Sequence, residues 1–188
     1  MKMLVNNQNK ALVVNGNALV VDDSNIIYEL YNHTCDGTVA TAINTGIYLF
    51  DTTLYPNGWT IELEFSFTAH VSQGSVIRCR NASSPYNGIN VRNTQNSGLM
   101  EAQINGGAVQ STYVMGSRET VLFDYDVATN ICSVRLNMGN TTSQSMSGKT
   151  VNPPLVVGGE NNDDSASFSW KSGRFPKCVI HSLVITSK

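Results

Sequence analysis

Residues 59–68 read Trp59-Thr60-Ile61-Glu62-Leu63-Glu64-Phe65-Ser66-Phe67-Thr68, ten residues of unbroken alternation. Side chains on a pleated strand point to opposite faces with period two. Trp59, Ile61, Leu63, Phe65 and Phe67 therefore share one face, and Thr60, Glu62, Glu64, Ser66 and Thr68 share the other. Strands covered on both faces, as in parallel sheets, lose this alternation, whereas antiparallel strands with one wet face keep it. The stretch predicts an all-β fold: a two-sheet antiparallel β-sandwich with Trp59 to Phe67 in its core.

The rest of the chain reads the same way. Residues 119–128 alternate with Val121, Phe123, Tyr125 and Val127 on one side, and 131–138 answer with Cys132, Val134, Leu136 and Met138 inward. Thr129-Asn130 would close that hairpin. Further strands are expected at 26–31, 38–43, 46–50, 75–80, 88–92 and 100–105, at the turn spacings of a sandwich. Residues 178–185 are apolar on both phases and predict an interior strand. No amphipathic helix of three turns is present. Asparagine is abundant, with 21 residues. Four precede glycine, at Asn15-Gly16, Asn57-Gly58, Asn87-Gly88 and Asn105-Gly106, and both residues tolerate the positive φ of tight hairpin turns.

Ala11-Leu12-Val13-Val14 is repeated as Ala18-Leu19-Val20-Val21 around Asn15-Gly16-Asn17. This predicts a hairpin arm over residues 1–24 ahead of a domain over 25–188. An isolated hairpin is marginal in water, so it docks on the main domain or on the same arm of another copy, or else is the sandwich's first hairpin. A homo-oligomer is expected on this ground.

At 188 residues the chain holds one complete core. Twelve Lys and Arg against fourteen Asp and Glu give a net charge of −2, and no basic cluster forms, which argues against nucleic acid. Arg78 and Arg80 are the nearest cationic pair of interest. No stretch approaches the roughly 18 apolar residues of a spanning helix, so membrane insertion is not expected. Asn6-Asn7-Gln8-Asn9-Lys10 interrupts any secretory apolar region, which points to a virion or the cytoplasm of the producing cell. Cys35, Cys79, Cys132 and Cys178 have no Cys-x-x-Cys spacing and read as buried thiols. His181 reads as a sheet histidine, His33 and His70 as loop residues.

Thr45-Gly46-Ile47-Tyr48-Leu49-Phe50 followed by Trp59 to Phe65 resembles the opening of laminin G-like, concanavalin A-like jelly rolls. The hairpin from Val121-Leu122-Phe123-Asp124-Tyr125 to Val134-Arg135-Leu136-Asn137-Met138-Gly139 resembles that family's penultimate pair. Leu155-Val156-Val157-Gly158-Gly159 and the run from Phe175 to Thr186 resemble its closing strands. The resemblance covers about residues 38–188 and implies a concanavalin A-like jelly roll. Departures stand at Met138 and at Pro176-Lys177. The Thr-Gly-Ile-x-Leu-Phe phrase and the N-terminal arm are also similar to modules of phage tail and other virion proteins. Jelly-roll glucanases of the laminarinase type carry Glu-x-Asp-x-x-Glu on one strand. Here Glu62 and Glu64 occupy the first two positions and Phe67 the third, so the acid/base carboxylate of a retaining hydrolase is missing. A non-catalytic protein is expected.

Glycan sites combine an aromatic platform with amide, carboxylate or guanidinium partners for hydroxyls. The loop 160–171 holds Asn161, Asn162, Asp163, Asp164 and Trp170 within this pattern, and is the leading candidate. Asp163 and Asp164 are also oxygen donors suited to calcium, which the resembled lectins often hold. The competing reading is a solvated turn with Trp170 tucked onto the core. Tyr86, in the loop Asn81 to Gly88, is a second candidate, and Tyr113 with Gln110 and Arg118 a third. The expected function is recognition of carbohydrate on a phage or similar surface assembly. The alternative is a structural virion protein touching only protein.

Overall fold

The computed structural model describes residues 25–95, 98–162 and 169–188, together with the backbone of 11–14 and 17–20. In chain order the strands are β1 (Ala11–Val14), β2 (Asn17–Val20), β3 (Ile26–Asp36), β4 (Ile43–Asn44), β5 (Gly58–Ala69), β6 (Ser75–Arg80) and β7 (Gly88–Asn93). They continue as β8 (Leu99–Ile104), β9 (Gly107–Thr112), β10 (Glu119–Asp126), β11 (Ile131–Leu136), β12 (Thr141–Ser145), β13 (Val156–Val157) and β14 (Lys177–Ser187). Two six-stranded sheets result, ordered β12-β11-β10-β5-β14-β3 and β4-β13-β6-β7-β8-β9, with every pairing antiparallel. The fold is an all-β jelly-roll sandwich. Among the described residues β1 and β2 pair only with each other, in register Leu12↔Leu19; Asn15-Gly16, expected as their turn, lies outside the described residues.

The β5 alternation sets the core. Trp59, Ile61, Leu63, Phe65 and Phe67 are all at most 2% exposed, each burial stabilising the fold by about 1.5–3 kcal/mol. Phe50 stands edge-on to Trp59 at 5.3 Å and Tyr125 tilts against both. From the facing sheet, Ile77, Cys79, Ile89, Val91, Ala102 and Ile104 complete one continuous cluster. β14 lies between β5 and β3, the interior strand that residues 178–185 predict. The Thr129-Asn130 hairpin forms, with Asn130 at φ 53°. All four cysteines are free and buried.

The structure departs from the sequence reading at several points. Residues 38–43 are not a strand: Val39–Thr41 form a 3-10 turn, with Asp36 accepting from the Thr38 and Thr41 hydroxyls at 2.7 and 2.9 Å. Residues 46–50 are irregular, held by Leu155 N–H on the Ile47 carbonyl at 2.7 Å. Met138 is 92% exposed, because Asn137 takes φ 52° and turns the chain out of β11. Two Asn-Gly pairs are not hairpin turns. Gly58 and Gly88, at φ 103° and 110°, begin strands where a Cβ would lie 2.0 Å from the Tyr125 carbonyl oxygen or 2.1 Å from that of Cys79. Asn105-Gly106, at φ 50° and 85°, joins paired neighbours directly, β8 to β9. His33 lies within β3 and donates from Nε2 to the Thr41 carbonyl at 2.7 Å. His181 is the sheet histidine expected, bonded to Ser66 Oγ at 3.0 Å.

Candidate functional site

The outer face of the second sheet carries the site. Register places Val156, Arg78, Asn90, Gln103 and Ala108 in one row across β13, β6, β7, β8 and β9. The next row holds Arg92, Glu101 and Gln110. Arg80 lies on the other side, opposite Gly88. Because Gly88 has no side chain, Arg80 has room to lean inward, where its Nη1 donates to Gln103 Oε1.

A continuous polar chain follows. Gln103 Oε1 also accepts from Asn90 Nδ2 at 3.3 Å, and Gln103 Nε2 donates to Glu101 Oε1 at 2.9 Å. Glu101 Oε1 accepts from Arg92 Nε at 2.5 Å, and its Oε2 from Gln110 Nε2 at 3.3 Å. At the other end Arg78 donates from Nε to Asn161 Oδ1 at 2.9 Å and from Nη2 to the Asn81 carbonyl at 3.0 Å. Its Nη1 lies 3.5 Å from Glu160 Oε2, and Ser75 Oγ donates to Glu160 Oε1 at 2.9 Å.

These groups face outward yet are buried: Arg78 is 4% exposed, Arg80 6%, Glu101 6% and Asn90 0%. Two segments cover one end of the face. The first is 81–87, closed by Asn81 N–H on the Asn87 carbonyl and tied to Thr150 through Asn81 Nδ2 at 2.9 Å. The second begins at Glu160, where Asn161 and Trp170 form an antiparallel bridge.

Among the described residues three guanidiniums meet the carboxylates Glu101 and Glu160 here, with Lys171 4.0 Å from Glu160. Burial, with Arg78 and Arg92 nearby, pulls the Arg80 pKa down to about 10. Among the described residues no protein group accepts from Arg80 Nη2 or from either terminal nitrogen of Arg92. Arg92 is the accessible member, with its side chain 22% exposed. Among the described residues Asn90 Oδ1 is buried without a partner, and Arg80 Nη2 and the terminal nitrogens of Arg92 are partly desolvated cationic donors of the kind that binds carboxylates or other oxyanions.

The structure distributes the sequence candidates around this face. Tyr86 is 47% exposed, its carbonyl accepts from Arg80 Nε at 3.2 Å, and its ring centroid lies 4.7 Å from the Arg80 guanidinium carbon. Asn161 is buried against Arg78. Asn162 is exposed, with its N–H on the Ser169 carbonyl at 2.8 Å. Trp170 is half-buried beside Phe175, ring centroids 5.9 Å apart, and against Gly159. Asp163 and Asp164 lie outside the described residues. Glu160, next to them, already faces Arg78, Ser75 and, at 4.0 Å, Lys171, so it is no free ligand for calcium. Tyr113 is buried away from Gln110 and Arg118, its hydroxyl accepting from Asn93 Nδ2 at 2.8 Å.

Sequence reasoning missed Asn90, Arg92, Glu101 and Gln103, and used Arg78 and Arg80 only to dismiss nucleic acid. The available signal was Arg-x-Arg, Asn-x-Arg and Glu-x-Gln at alternate positions of three successive strands. On the opposite sheet Glu62 and Glu64 line a groove of about 380 Å³ with Thr120, Leu122 and Arg135. Glu64 is paired to Arg118 at 2.7 Å, and Phe67 points into the core.

No protein-family model and no curated protein sequence matches the chain. Solved structures do match in fold. One is the CBM40 of Ruminococcus gnavus IT-sialidase bound to α2,3-sialyllactose: TM-score 0.57, 10% identity, 85% of this chain and 91% of that one. Another is the leech intramolecular trans-sialidase: TM-score 0.59, 15% identity, 87% of this chain and 26% of that one. NanB sialidase from Streptococcus pneumoniae (K499G mutant) gives TM-score 0.55 and 14% identity, over 86% of this chain and 26% of that one. The chain spans about a quarter of the two sialidases and nearly all of the CBM40. At these identities the likeness is one of fold.

Proposed function

We propose that this protein is a non-catalytic carbohydrate-binding module whose arginine-lined face takes an acidic sugar. The observation that carries the reading is that, among the described residues, Arg80 Nη2 and both terminal nitrogens of Arg92 have no acceptor, in a face that gathers three arginines. A sugar carboxylate would accept from Arg92 and offset the burial and the neighbouring charges that depress Arg80. Tyr86 bounds the site at one end with an exposed ring, suited to the apolar face of a pyranose. Asn161, bonded to Arg78 and bridged to Trp170, bounds it at the other end, with Asn162 beside it; Asp163 and Asp164 follow in sequence. The CBM40 with the same fold holds sialyllactose, which supports a carboxylated glycan as the first ligand to try. In this reading the module sits on a phage or comparable surface assembly, where proteomic analysis of purified particles would find it.

The test is a glycan array of sialylated, uronic-acid and neutral oligosaccharides, with titration calorimetry on any hit. Acidic glycans should bind and their neutral counterparts should not. Arg92→Gln should weaken binding at least about tenfold, roughly 1.4 kcal/mol. Binding of neutral glycans unaffected by Arg92→Gln, or a blank array from folded protein, would overturn the proposal.

A further inference from the structure

β3 and β14 are the first and last strands of the sandwich, and they pair antiparallel in one register from Lys177↔Asp36 to Ile185↔Tyr28. That register sets Cys35 and Cys178 directly opposite each other, and the ladder shifts only at its far end, between Ile185 and Thr186. β14 is also irregular at Lys177–Cys178, but on its β5 side. Opposed residues of an antiparallel ladder share a face, with Cα atoms about 4.5–5.5 Å apart, inside the roughly 4.4–6.8 Å that a disulfide spans. Both side chains are in the core, Cys35 1% and Cys178 0% exposed. Cys35 Sγ packs against Gly158, where a Cβ would lie 2.8 Å away, so bare backbone closes over the sulfur there.

Among the described residues no three His, Cys, Asp or Glu side chains gather as a metal would require, so the pair is not part of a ligand set. The Cys178 thiol hydrogen-bonds to Cys35, and this bond together with burial holds it well above its ordinary pKa range. A thiol so held is inert once the sandwich has closed. Oxidation therefore belongs to the folding chain, while both sulfurs are still reachable. Cys79 and Cys132 lack this relation: they stand on different sheets, and Cys79 Sγ donates to the Pro153 carbonyl at 3.4 Å.

We propose that Cys35 and Cys178 form a disulfide as the chain folds under oxidising conditions, fastening the first strand of the sandwich to its last. The oxidant is a small-molecule disulfide. The thiolate of one cysteine attacks it and expels one thiol; the other cysteine then attacks the mixed disulfide and expels the second. Two electrons pass to the reagent, and the two cysteine protons end on the released thiols. The bond closes a loop of roughly 140 residues, and long loops are those whose closure restricts the unfolded chain most. Both cysteines lie in the sheet opposite the arginine face, so the link is independent of the carbohydrate reading.

Refolding the denatured, reduced full chain with oxidised and reduced glutathione, then alkylating in urea and mapping peptides, tests it. Two of the four thiols should escape alkylation, joined as one Cys35–Cys178 peptide pair. The linked protein should unfold at a higher urea midpoint than the same sample after reduction. Cys35→Ala should abolish both the link and the reductant-dependent shift, whereas Cys79→Ala should keep both. Four alkylated thiols after refolding, a different pairing, or a midpoint no higher in the linked form overturns the proposal. The wild-type peptide map decides even where a variant fails to fold.

Discussion

The two outer faces of the sandwich obey the same alternation and end in opposite electrostatic states. On the β5 sheet the outward charges are solvated: Arg118 and Glu64 pair with side chains 63% and 30% exposed, and Lys188 and Asp124 with 30% and 42%. On the β6–β8 sheet Arg78 and Glu160 are 5% and 3% exposed at the side chain. The difference comes from what lies above each face. The 81–87 loop and the segment at Glu160–Asn161 cover one end of the second sheet and are held there by the arginines themselves, through the Asn81 and Tyr86 carbonyls and Asn161. Exposed pairs contribute little, because solvent screens them. Buried ones are costly to disrupt, since removing one partner strands the other away from water. The covered face therefore holds Arg78 and Arg80 out of water with Arg92 partly exposed, whereas the other is only a wet surface.

The largest expected effect comes from breaking the buried end. Arg78→Met leaves Glu160 and Asn161 without their main partner and should destabilise the fold by about 3–5 kcal/mol, read as a lowered midpoint in urea. Saturating with an acidic glycan is next. At a hundredfold excess over Kd it should raise unfolding free energy by about 2.7 kcal/mol in wild type, and by much less in Arg92→Gln. Smaller still is a pH effect on Arg80. Its folded pKa is depressed to about 10 from the ordinary 12.5, so between those values the unfolded chain binds more protons and stability rises with pH. Wild type should gain stability relative to Arg80→Gln as pH passes 10, in paired denaturation curves. The smallest change belongs to the wet face, where Arg118→Ala or Lys188→Ala should cost less than about 1 kcal/mol and leave glycan binding unchanged. A larger loss there would erase the contrast between the faces.

Legibility in the sequence followed the range of the interaction. The β10–β11 hairpin was readable because its partners are joined by one short turn. Residues 46–50 misled because Leu49 and Phe50 are core residues without being in a strand, and periodicity reports burial before it reports hydrogen bonding. Met138 misled because one left-handed residue, Asn137, ends the alternation. At the site, Tyr86 and Asn161 were legible as polar-loop residues, but the arginines that hold them were not. In sequence, Arg80 is an ordinary outward strand residue. It becomes a buried cation only when Gly88 of β7 and Gln103 of β8 come alongside.

Local chain chemistry, then, determined the β class, the inward set from Trp59 to Phe67 and the hairpin at Thr129-Asn130. Each depends on side chains a few residues apart and on the two-residue period of a strand. Tertiary structure alone decided which polar residues converge. Arg78 meets Asn161 across 83 residues and Ser75 meets Glu160 across 85. Such meetings are set by cross-strand register and loop cover, which no local pattern encodes.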